Sequence, residues 1–433
     1  MNRKKIIFKN VSLGVFYKII NMGIVFTTIP LLLNYLEKEQ YGIWVTLFSL
    51  VNIVFFMDAG IGNGLKTKLS EALSLRNFKL AKSYISTAYI SIFLISFIVL
   101  CIGIGLIFVI NLQELFNTTI PENELKTVLF VTLFLVITSF ILNLYKSFYY
   151  ANQQASKVEL AMLIYQIAVL ISVMLLLHFF PRKLLFVALF YGCLNIFVGI
   201  IFTILFFKKN KEIKPAIASF SKKKVKDLMG LSLAFFGIQL CMIVIFTTDN
   251  LIISNLLGPA EVTNYDVVYK LFQVVIIISV IVQDPLWALY TDAFQKKDFE
   301  WIKKTITRLN KLFVVFVFIV LGLFFASKPI IKIWIQRELQ IPTVLILFMS
   351  IFVLIRVYGV IYMTFLNSIG KVKLQLWLYI FGAIINIPLS IYLVKTFDLG
   401  SSGVILGTVF SILSLSLILP IQTYKILKKN EIY

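Results

Sequence analysis

Long apolar runs alternate with short polar breaks along the whole chain. Runs such as Ile90–Ile110, Val128–Leu144 and Leu312–Ala326 are long enough to cross about 30 Å of hydrocarbon as α-helices. Taking the charged and turn-rich breaks as helix ends predicts twelve helices, at positions 11–36, 42–64, 82–110, 127–150, 158–180, 184–207, 228–256, 264–291, 309–327, 341–366, 374–395 and 402–426. The pattern is typical of an all-α integral membrane protein with many passes.

Composition agrees with this class and narrows the partners. Of the 433 residues, 60% are hydrophobic and 14% are charged, and the mean hydropathy is +0.95. Soluble globular domains carry about 25% charged residues, so this chain has too little polar surface to be one. The net charge of +21 comes from short basic clusters between the apolar runs rather than from one basic face, and no nucleic-acid partner is expected.

The basic clusters also predict the orientation in the membrane. Both ends of the chain and every second break carry 30 Lys and Arg residues, whereas the breaks between them carry 8. By the positive-inside rule, both termini and the basic breaks lie in the cytoplasm. An even number of helices then follows, which fits twelve. The first apolar run has no small-residue cleavage site, so we expect it to remain as a helix.

The longest polar break divides the chain into two halves that resemble each other. It predicts an N-terminal lobe at 1–210 with helices 1–6, a basic cytoplasmic linker at 211–227 and a C-terminal lobe at 228–433 with helices 7–12. Arg76–Lys82 after helix 2 matches Lys297–Lys303 after helix 8, Asn152–Leu160 after helix 4 matches Asn367–Leu374 after helix 10, and Tyr41 matches Tyr265. These matches lie 215 to 224 residues apart. Parallel repeats of this kind build transporters with the site between two lobes, so we predict two six-helix lobes around a central cavity.

Ionisable side chains inside the predicted helices are candidates for the transport site. They are costly in hydrocarbon, and they normally face a cavity or a buried partner. Most lie on the first two helices of each lobe, which suggests that these helices line the cavity. The substrate-binding candidates are Lys18, Asn21, Lys270, Gln273 and Arg356, and the candidate ion-coupling or cavity acids are Asp58, Asp249 and Asp284.

Two of these positions also fit a simpler role. Asp266 and Lys270 are four residues apart on one predicted helix, so they could merely neutralise each other. Lys18 lies close enough to the cytoplasmic end of helix 1 for its ammonium to reach the membrane surface. At these positions the sequence leaves both readings open.

Motifs for catalysis or metal binding are missing from the sequence. There is no GxxxxGK[ST] phosphate loop, and the single histidine, His178, cannot build a His-rich zinc site. The predicted loop that holds Glu37 and Glu39 is too short for a glycosyltransferase or polymerase site. We therefore expect neither an enzyme nor a bound cofactor. Gly60 and Gly64 form a GxxxG pair that predicts a close helix contact rather than a nucleotide loop.

Several short stretches resemble a known transporter family. They are Thr28–Leu33, Glu39–Trp44 and Asp58–Leu65 in the first half and Thr248–Ser254 in the second, followed by Leu-Gly-Pro and Tyr265. Together they resemble the polysaccharide branch of the multidrug/oligosaccharidyl-lipid/polysaccharide (MOP) exporter superfamily, most closely the Wzx-type O-antigen flippases. The resemblance covers essentially the whole chain and implies a MATE- and MurJ-like arrangement of lobes.

The resemblance implies a function as well. It predicts movement of an undecaprenyl-pyrophosphate-linked oligosaccharide, an O-antigen or capsule repeat unit, across a bacterial inner membrane by alternating access. Lys18, Lys270 and Arg356 would bind the pyrophosphate, and Asp58, Asp249 or Asp284 would couple transport to a proton or sodium gradient. The expected partners are the lipid-linked substrate, membrane lipids, and the polymerase and chain-length proteins of the same pathway. The alternative within the fold is an ion-coupled exporter of drugs or other small molecules.

Overall fold

The computed structural model is almost entirely helical, and it describes residues 3–57, 60–152, 154–229, 233–283 and 286–431. Sixteen α-helices and three short 3-10 turns lie in these ranges, and no β-strand does. The chain divides into two compact units, unit 1 over Met1–Phe236 and unit 2 over Gly237–Tyr433. The finer partition into two lobes and a linker stays a prediction.

Unit 1 is built from long helices that pack side by side. Its helices in the described ranges are α1 (Arg3–Asn52), α2 (Ile61–Ser74), α3 (Phe78–Val109), α4 (Leu112–Phe116), α5 (Glu122–Leu142), α6 (Leu144–Ala151), α7 (Ala155–Phe179), α8 (Leu184–Lys209) and α9 (Lys222–Met229). Helix α1 packs on α7, and α5 packs on both α3 and α8. Buried aromatic rings fill the contact between α6 and α8, where Phe148 lies 5.3 Å from Phe206 and 5.4 Å from Phe207.

Unit 2 has the same kind of construction. The remaining helices are α10 (Leu233–Leu257), α11 (Pro259–Gln283), α12 (Leu286–Gln295), α13 (Phe299–Ile335), α14 (Thr343–Ser368), α15 (Lys373–Phe397) and α16 (Ser401–Glu431). Helix α16 packs against α14 and α15, and α14 also packs on α11 and α13. The backbones of α15 and α16 approach closely, because a Cβ on Gly407 would lie 3.1 Å from the Cα of Ser390.

The structure contains enough membrane-spanning helix for twelve passes. Eleven segments of the described residues are long and apolar enough to cross a membrane, and the first of them, Leu13–Phe55, has 43 residues. At about 1.5 Å per residue this segment is roughly 64 Å long, about twice the thickness of the hydrocarbon core. Glu37 interrupts it with a φ of 62° and a ψ of 177°. Counting the two sides of Glu37 separately gives twelve, so the predicted number of helices is confirmed.

The prediction of one continuous helix over 42–64 is wrong. Helix α1 ends at Asn52, a 3-10 turn covers Ile53–Phe56, and α2 starts after Gly60, which has a left-handed φ of 79°. Gly60 is therefore the residue that caps α2 and not half of a helix-contact pair. Gly64 does allow a close contact, since a Cβ there would lie 3.0 Å from the Cα of Leu228 in α9.

The basic segment between α8 and α9 is attached to α3 by hydroxyl side chains. Ser86 Oγ accepts a hydrogen bond from the Ala216 backbone N–H at 3.0 Å, and Ser83 Oγ donates to the Ser219 carbonyl at 2.8 Å. Thr87 Oγ1 accepts from the Ser221 N–H at 3.2 Å. These bonds hold the segment along α3, within unit 1.

Candidate functional site

A buried carboxylate lies on α10 in unit 2. Asp249 is 3% exposed, and it accepts hydrogen bonds from the Tyr265 hydroxyl of α11 at 2.7 Å and from the Thr408 hydroxyl of α16 at 3.0 Å. Within the described residues no Lys or Arg forms an ion pair with it. A carboxylate held only by neutral donors in a membrane favours a proton or a small cation as its partner, because an unpaired buried charge is expensive.

Neutral polar groups extend this site between α15 and α16. Asn386, which is fully buried, donates from Nδ2 to Thr408 Oγ1 at 3.2 Å and to Ser411 Oγ at 3.3 Å. The Asn386 amide orients the Thr408 hydroxyl, because the hydroxyl accepts from Asn386 and can then donate its single proton to Asp249. Three helices therefore position the carboxylate through uncharged groups.

One face of α11 carries three of the predicted polar positions. Lys270 Nζ lies 2.7 Å from Asp266 Oδ2, so the ion pair that the sequence allowed is formed. Gln273 follows one turn later on the same face. The side-chain amide of Gln273 has no hydrogen-bond partner among the described residues. Lys270 thus has a counterion on its own helix, while Gln273 remains available to a ligand.

The guanidinium of Arg356 rests on aromatic rings rather than on an acid. Its Cζ lies 4.1 Å from the ring centroid of Phe246 and 5.8 Å from that of Phe352. No hydrogen bond or ion pair joins it to another residue in the described part of the chain. A cation stacked on ring faces is stabilised without using its N–H groups, so the donors of Arg356 stay free for an anion.

An aromatic cluster connects Asp249 with Arg356. It consists of Phe246, Tyr265, Tyr269 and Phe352. The rings of Tyr265 and Tyr269 stack at 6.5 Å with an interplanar angle of 11°, and Tyr269 lies 6.3 Å from Phe352. Since Tyr265 binds Asp249 and Phe352 faces Arg356, the structure brings both predicted residues into one connected group.

Two predicted residues of unit 1, Lys18 and Asn21, lie on α1. Lys18 is partly exposed, whereas the Asn21 Oδ1 atom is buried and has no hydrogen-bond partner in the described ranges. A buried amide oxygen without a donor favours a ligand or a water molecule at that point. Asp58 and Asp284, two of the predicted acids, lie outside the described residues.

Sequence reasoning missed the neutral partners of Asp249 and one cation. Asn386 and Thr408 lie on helices with almost no charged residues. The one sequence feature that points to this site is Asn386 itself, a single asparagine in an apolar run. Lys146 was not among the candidates, because it lies near the end of predicted helix 4. In the structure it lies on α6 inside the candidate span Glu122–Ala151. In the described residues no group of three or more His, Cys, Asp or Glu side chains could hold a metal ion.

Two solved membrane transporters have this fold. An inward-facing multidrug resistance MATE family transporter of the MOP superfamily has a TM-score of 0.76 and 12% identity, and the match covers 99% of each chain. A MOP superfamily transporter from Pyrococcus furiosus has a TM-score of 0.65 and 12% identity, covering 100% of this chain and 97% of that one. The fold is therefore that of the MATE transporters, and the protein is a multi-pass membrane protein.

Sequence comparison then gives the family. The profile described as "Polysaccharide biosynthesis protein" matches residues 7–286, and the MatE profile matches residues 234–392. A candidate O-antigen transporter of Salmonella typhimurium is 29% identical over 91% of this chain and 90% of its own length. A candidate O-antigen export protein of Yersinia pseudotuberculosis is 23% identical over 92% and 90%. The chain belongs to the polysaccharide biosynthesis protein family.

Proposed function

We propose that this protein is a flippase for an oligosaccharide linked to undecaprenyl pyrophosphate. It would carry an O-antigen or capsule repeat unit from the cytoplasmic to the periplasmic leaflet of a bacterial inner membrane. Family membership supports this, and so do the names of two relatives that match over nine tenths of their length. The lipid tail stays in the bilayer while alternating access moves the polar head.

The observation that carries the proposal is the state of Arg356. A pyrophosphate is a strong anion with many acceptor oxygens, and a guanidinium with free donors is a matching partner for it. Phe246 holds Arg356 in place through its ring face, at 4.1 Å, without neutralising it. Lys270 stays a candidate contact although Asp266 balances its charge, and Gln273 one turn away contributes an amide for the sugar. Lys18 and Asn21 on α1 would serve the same ligand in unit 1.

Asp249 is the proposed coupling site for a proton or sodium gradient. Its carboxylate is buried among neutral donors, which suits reversible binding of a proton or a monovalent cation. Tyr265 joins Asp249 to the aromatic cluster beside Arg356. A change of charge at Asp249 would therefore change the electrostatic potential at the anion site. The two remaining acids of the prediction, Asp58 and Asp284, stay candidates for the same role.

An ion-coupled exporter of drugs or other small molecules is the second candidate. The MatE profile match and the fold favour it, because the MATE neighbours include multidrug transporters. The unpaired carboxylate of Asp249 would also suit a cationic substrate. We place a membrane-embedded glycosyltransferase or polymerase behind both, since the fold is that of transporters. The flippase assignment is preferred because Arg356 offers an unpaired cation.

The proposal is tested by complementation in a strain that lacks its own flippase. Surface polysaccharide would be measured for the wild type, Arg356→Ala and Arg356→Lys, with each protein level checked by immunoblot. Loss of a charge-assisted contact to an anion is worth about 1.5–3 kcal/mol, which corresponds to roughly a tenfold to hundredfold loss of binding. We expect Arg356→Ala to fall towards the background of the deletion strain, and Arg356→Lys to retain part of the activity.

Arg308→Ala is the matched control, because Arg308 is an exposed arginine on α13 of the same unit. It should export normally. If Arg356→Ala also displays normal polysaccharide at normal protein level, Arg356 has no role in substrate binding. If the wild type fails to complement but lowers susceptibility to cationic drugs, the drug-exporter candidate replaces the flippase.

A further inference from the structure

Unit 1 contains a cavity of about 400 Å³ between α2, α3, α5, α6 and α8. Its polar lining consists of Lys66, Asn143, Lys146, Ser147, Tyr150 and Asn195, and no acidic side chain is found in the described lining. Cavities that hold small ligands measure about 300–1,000 Å³, so this one is large enough for a small charged group. Two lysines without a lining acid indicate a preference for anions.

Lys146 lacks a counterion. It forms no ion pair and no side-chain hydrogen bond with any described residue. Glu159 of α7 forms no ion pair with Lys146 and does not line the cavity. Lys146 also lies five residues inside the end of the candidate span Glu122–Ala151, or roughly 7.5 Å at 1.5 Å per residue. An ammonium in such a place is costly unless an anion joins it.

Lys66 completes the cationic side of the cavity. Its Nζ lies 4.8 Å from the ring centroid of Tyr150, which follows Lys146 by one helical turn. Ser147 Oγ of α6 donates a hydrogen bond of 2.9 Å to the carbonyl of Gly62 in α2. Gly62 lies one helical turn before Lys66. The packing of α2 against α6 therefore sets both ammonium groups on the lining of a single cavity.

The two asparagines add neutral donors. The side-chain amides of Asn143 and Asn195 have no hydrogen-bond partner among the described residues, and both line the cavity. Two ammonium groups with two amides can surround a group that has several acceptor oxygens, such as a phosphate. A neutral sugar would not balance the two positive charges.

We propose that this cavity of unit 1 binds a phosphate-bearing anion, with Lys66 and Lys146 as its cations and Asn143 and Asn195 as its amide donors. The inference rests on the proposed function for the natural ligand, which would be the pyrophosphate of the lipid carrier. A phospholipid headgroup or a free phosphate has the same chemistry, so the experiment must distinguish these sources.

Binding would be measured with the full chain in nanodiscs of phosphatidylcholine. Inorganic pyrophosphate and farnesyl pyrophosphate would be titrated in separate arms, and a third arm would compare nanodiscs that contain phosphatidylglycerol for competition. The variants are Lys146→Gln, Lys66→Gln and Lys146→Arg. Lys157→Gln is the matched control, since Lys157 lies 5.3 Å from the Tyr149 ring but does not line the cavity.

We expect Lys146→Gln to weaken binding of the phosphate ligand about tenfold or more, and Lys66→Gln to weaken it by a smaller factor. Lys146→Arg keeps the charge and should bind within about threefold of the wild type, which separates loss of charge from loss of fold. Lys157→Gln should bind as the wild type does. The arm in which Lys146-dependent binding occurs identifies the source of the phosphate.

Equal binding by Lys146→Gln and the wild type, or no binding by the wild type in any arm, would overturn the proposed site. If the wild type nevertheless complements a flippase deletion, the flippase assignment stands and only this site is lost. Conversely, Lys146-dependent binding of pyrophosphate by a protein that does not complement would leave the site standing without the proposed function.

Discussion

Four ionisable side chains of unit 2 are held inside the membrane by three kinds of contact. Asp249 is held by neutral hydrogen-bond donors, Asp266 and Lys270 by each other, and Arg356 by the ring face of Phe246. Only the second arrangement cancels its own charge. The other two leave one acid and one cation without a partner of opposite sign in the described residues. The proposed binding of a cation at Asp249 and of an anion at Arg356 requires this difference.

Replacing Asp249 by Asn tests the coupling role. Asn has the same shape and can still accept from Tyr265 and Thr408, but it can neither bind a proton nor provide charge to a cation. We expect Asp249→Asn to fold with an apparent melting temperature within a few degrees of the wild type and to lose export. The measurement is surface polysaccharide in a flippase deletion, with a protonophore or sodium-free medium applied to the wild type to identify the ion.

Asp398→Asn is the control for this change. Asp398 ends α15 in unit 2 with a left-handed φ of 49°, a conformation that Asn adopts readily. It should export as the wild type does. Wild-type export by Asp249→Asn at normal protein level would remove Asp249 from the coupling mechanism.

The packing of α2 against α9 can be tested by adding a single Cβ atom at Gly64. A Cβ at this position would lie 2.8 Å from the carbonyl carbon of Leu228, which is closer than real Cβ contacts allow. Forcing extra atoms into a packed contact costs about 1–3 kcal/mol, and this exceeds the roughly 0.5–1 kcal/mol that Ala gains over Gly in a helix. Gly64→Ala should therefore lower the apparent melting temperature of the purified protein.

Gly105→Ala on α3 is the matched variant, because nothing lies within 4 Å of a Cβ there. It should be neutral or slightly stabilising. If both variants melt at the same temperature, α9 is not packed against α2 in the protein as purified.

Single residues show what sequence patterns can and cannot predict. Asp249 and Arg356 were found because a charge in an apolar run is unusual in any fold. Their partners were not, because Thr408 and Phe246 are ordinary residues of a membrane helix whose importance depends on which helices meet. Lys146 was missed for a related reason: near the end of a run, periodicity does not decide whether a lysine faces water or the interior.

The two units have the same backbone turn at the position where Arg76–Lys82 matches Lys297–Lys303 in sequence. Arg76 before α3 and Lys297 before α13 both have a left-handed φ, of 53° and 57°. The next residue caps the helix in each case: Asn77 accepts from the Leu80 N–H and Asp298 from the Trp301 N–H, both at 3.0 Å. The predicted repeat is thus matched at this position by the same backbone turn and the same type of helix cap.

The kink at Glu37 is an element whose strain can be measured. Its φ of 62° with a ψ of 177° belongs to a region that is nearly restricted to Gly. Such a residue stores about 1–3 kcal/mol, while Gly costs roughly 0.5–1 kcal/mol more chain entropy on folding. Glu37→Gly should therefore raise the apparent melting temperature by a small amount. The lost ion pair with Arg182, at 2.9 Å, is exposed and worth about 0–1 kcal/mol.

Glu37→Ala separates the two contributions, since it removes the same ion pair but keeps a side chain at the strained position. It should be less stable than Glu37→Gly. If Glu37→Ala is more stable than Glu37→Gly, the backbone at position 37 is not strained. Loss of the ion pair cannot account for a difference between the two variants, because both lack it.

At the scale of the whole chain, hydrophobic periodicity was enough to predict the class and the number of passes. The thickness of the bilayer sets the length of each apolar run. The class and the number of passes can therefore be predicted without knowing any contact between helices. The end of α1 at Asn52 was not predicted, because Ile53–Phe56, which form the 3-10 turn, are as apolar as a helix. Gly60, with its left-handed φ, then caps α2. Binding sites depend on contacts between helices, and no periodicity encodes them.

The 30 to 8 distribution of Lys and Arg makes the orientation of the whole molecule testable. Fusions of green fluorescent protein and of alkaline phosphatase would be placed after Lys214, after Arg337 and at the C-terminus. We expect fluorescence after Lys214 and at the C-terminus, and phosphatase activity only after Arg337, in the break between α13 and α14. An N-terminal tag should resist protease added to spheroplasts. Phosphatase activity at the C-terminus together with a protected N-terminal tag would mean an odd number of passes and contradict twelve.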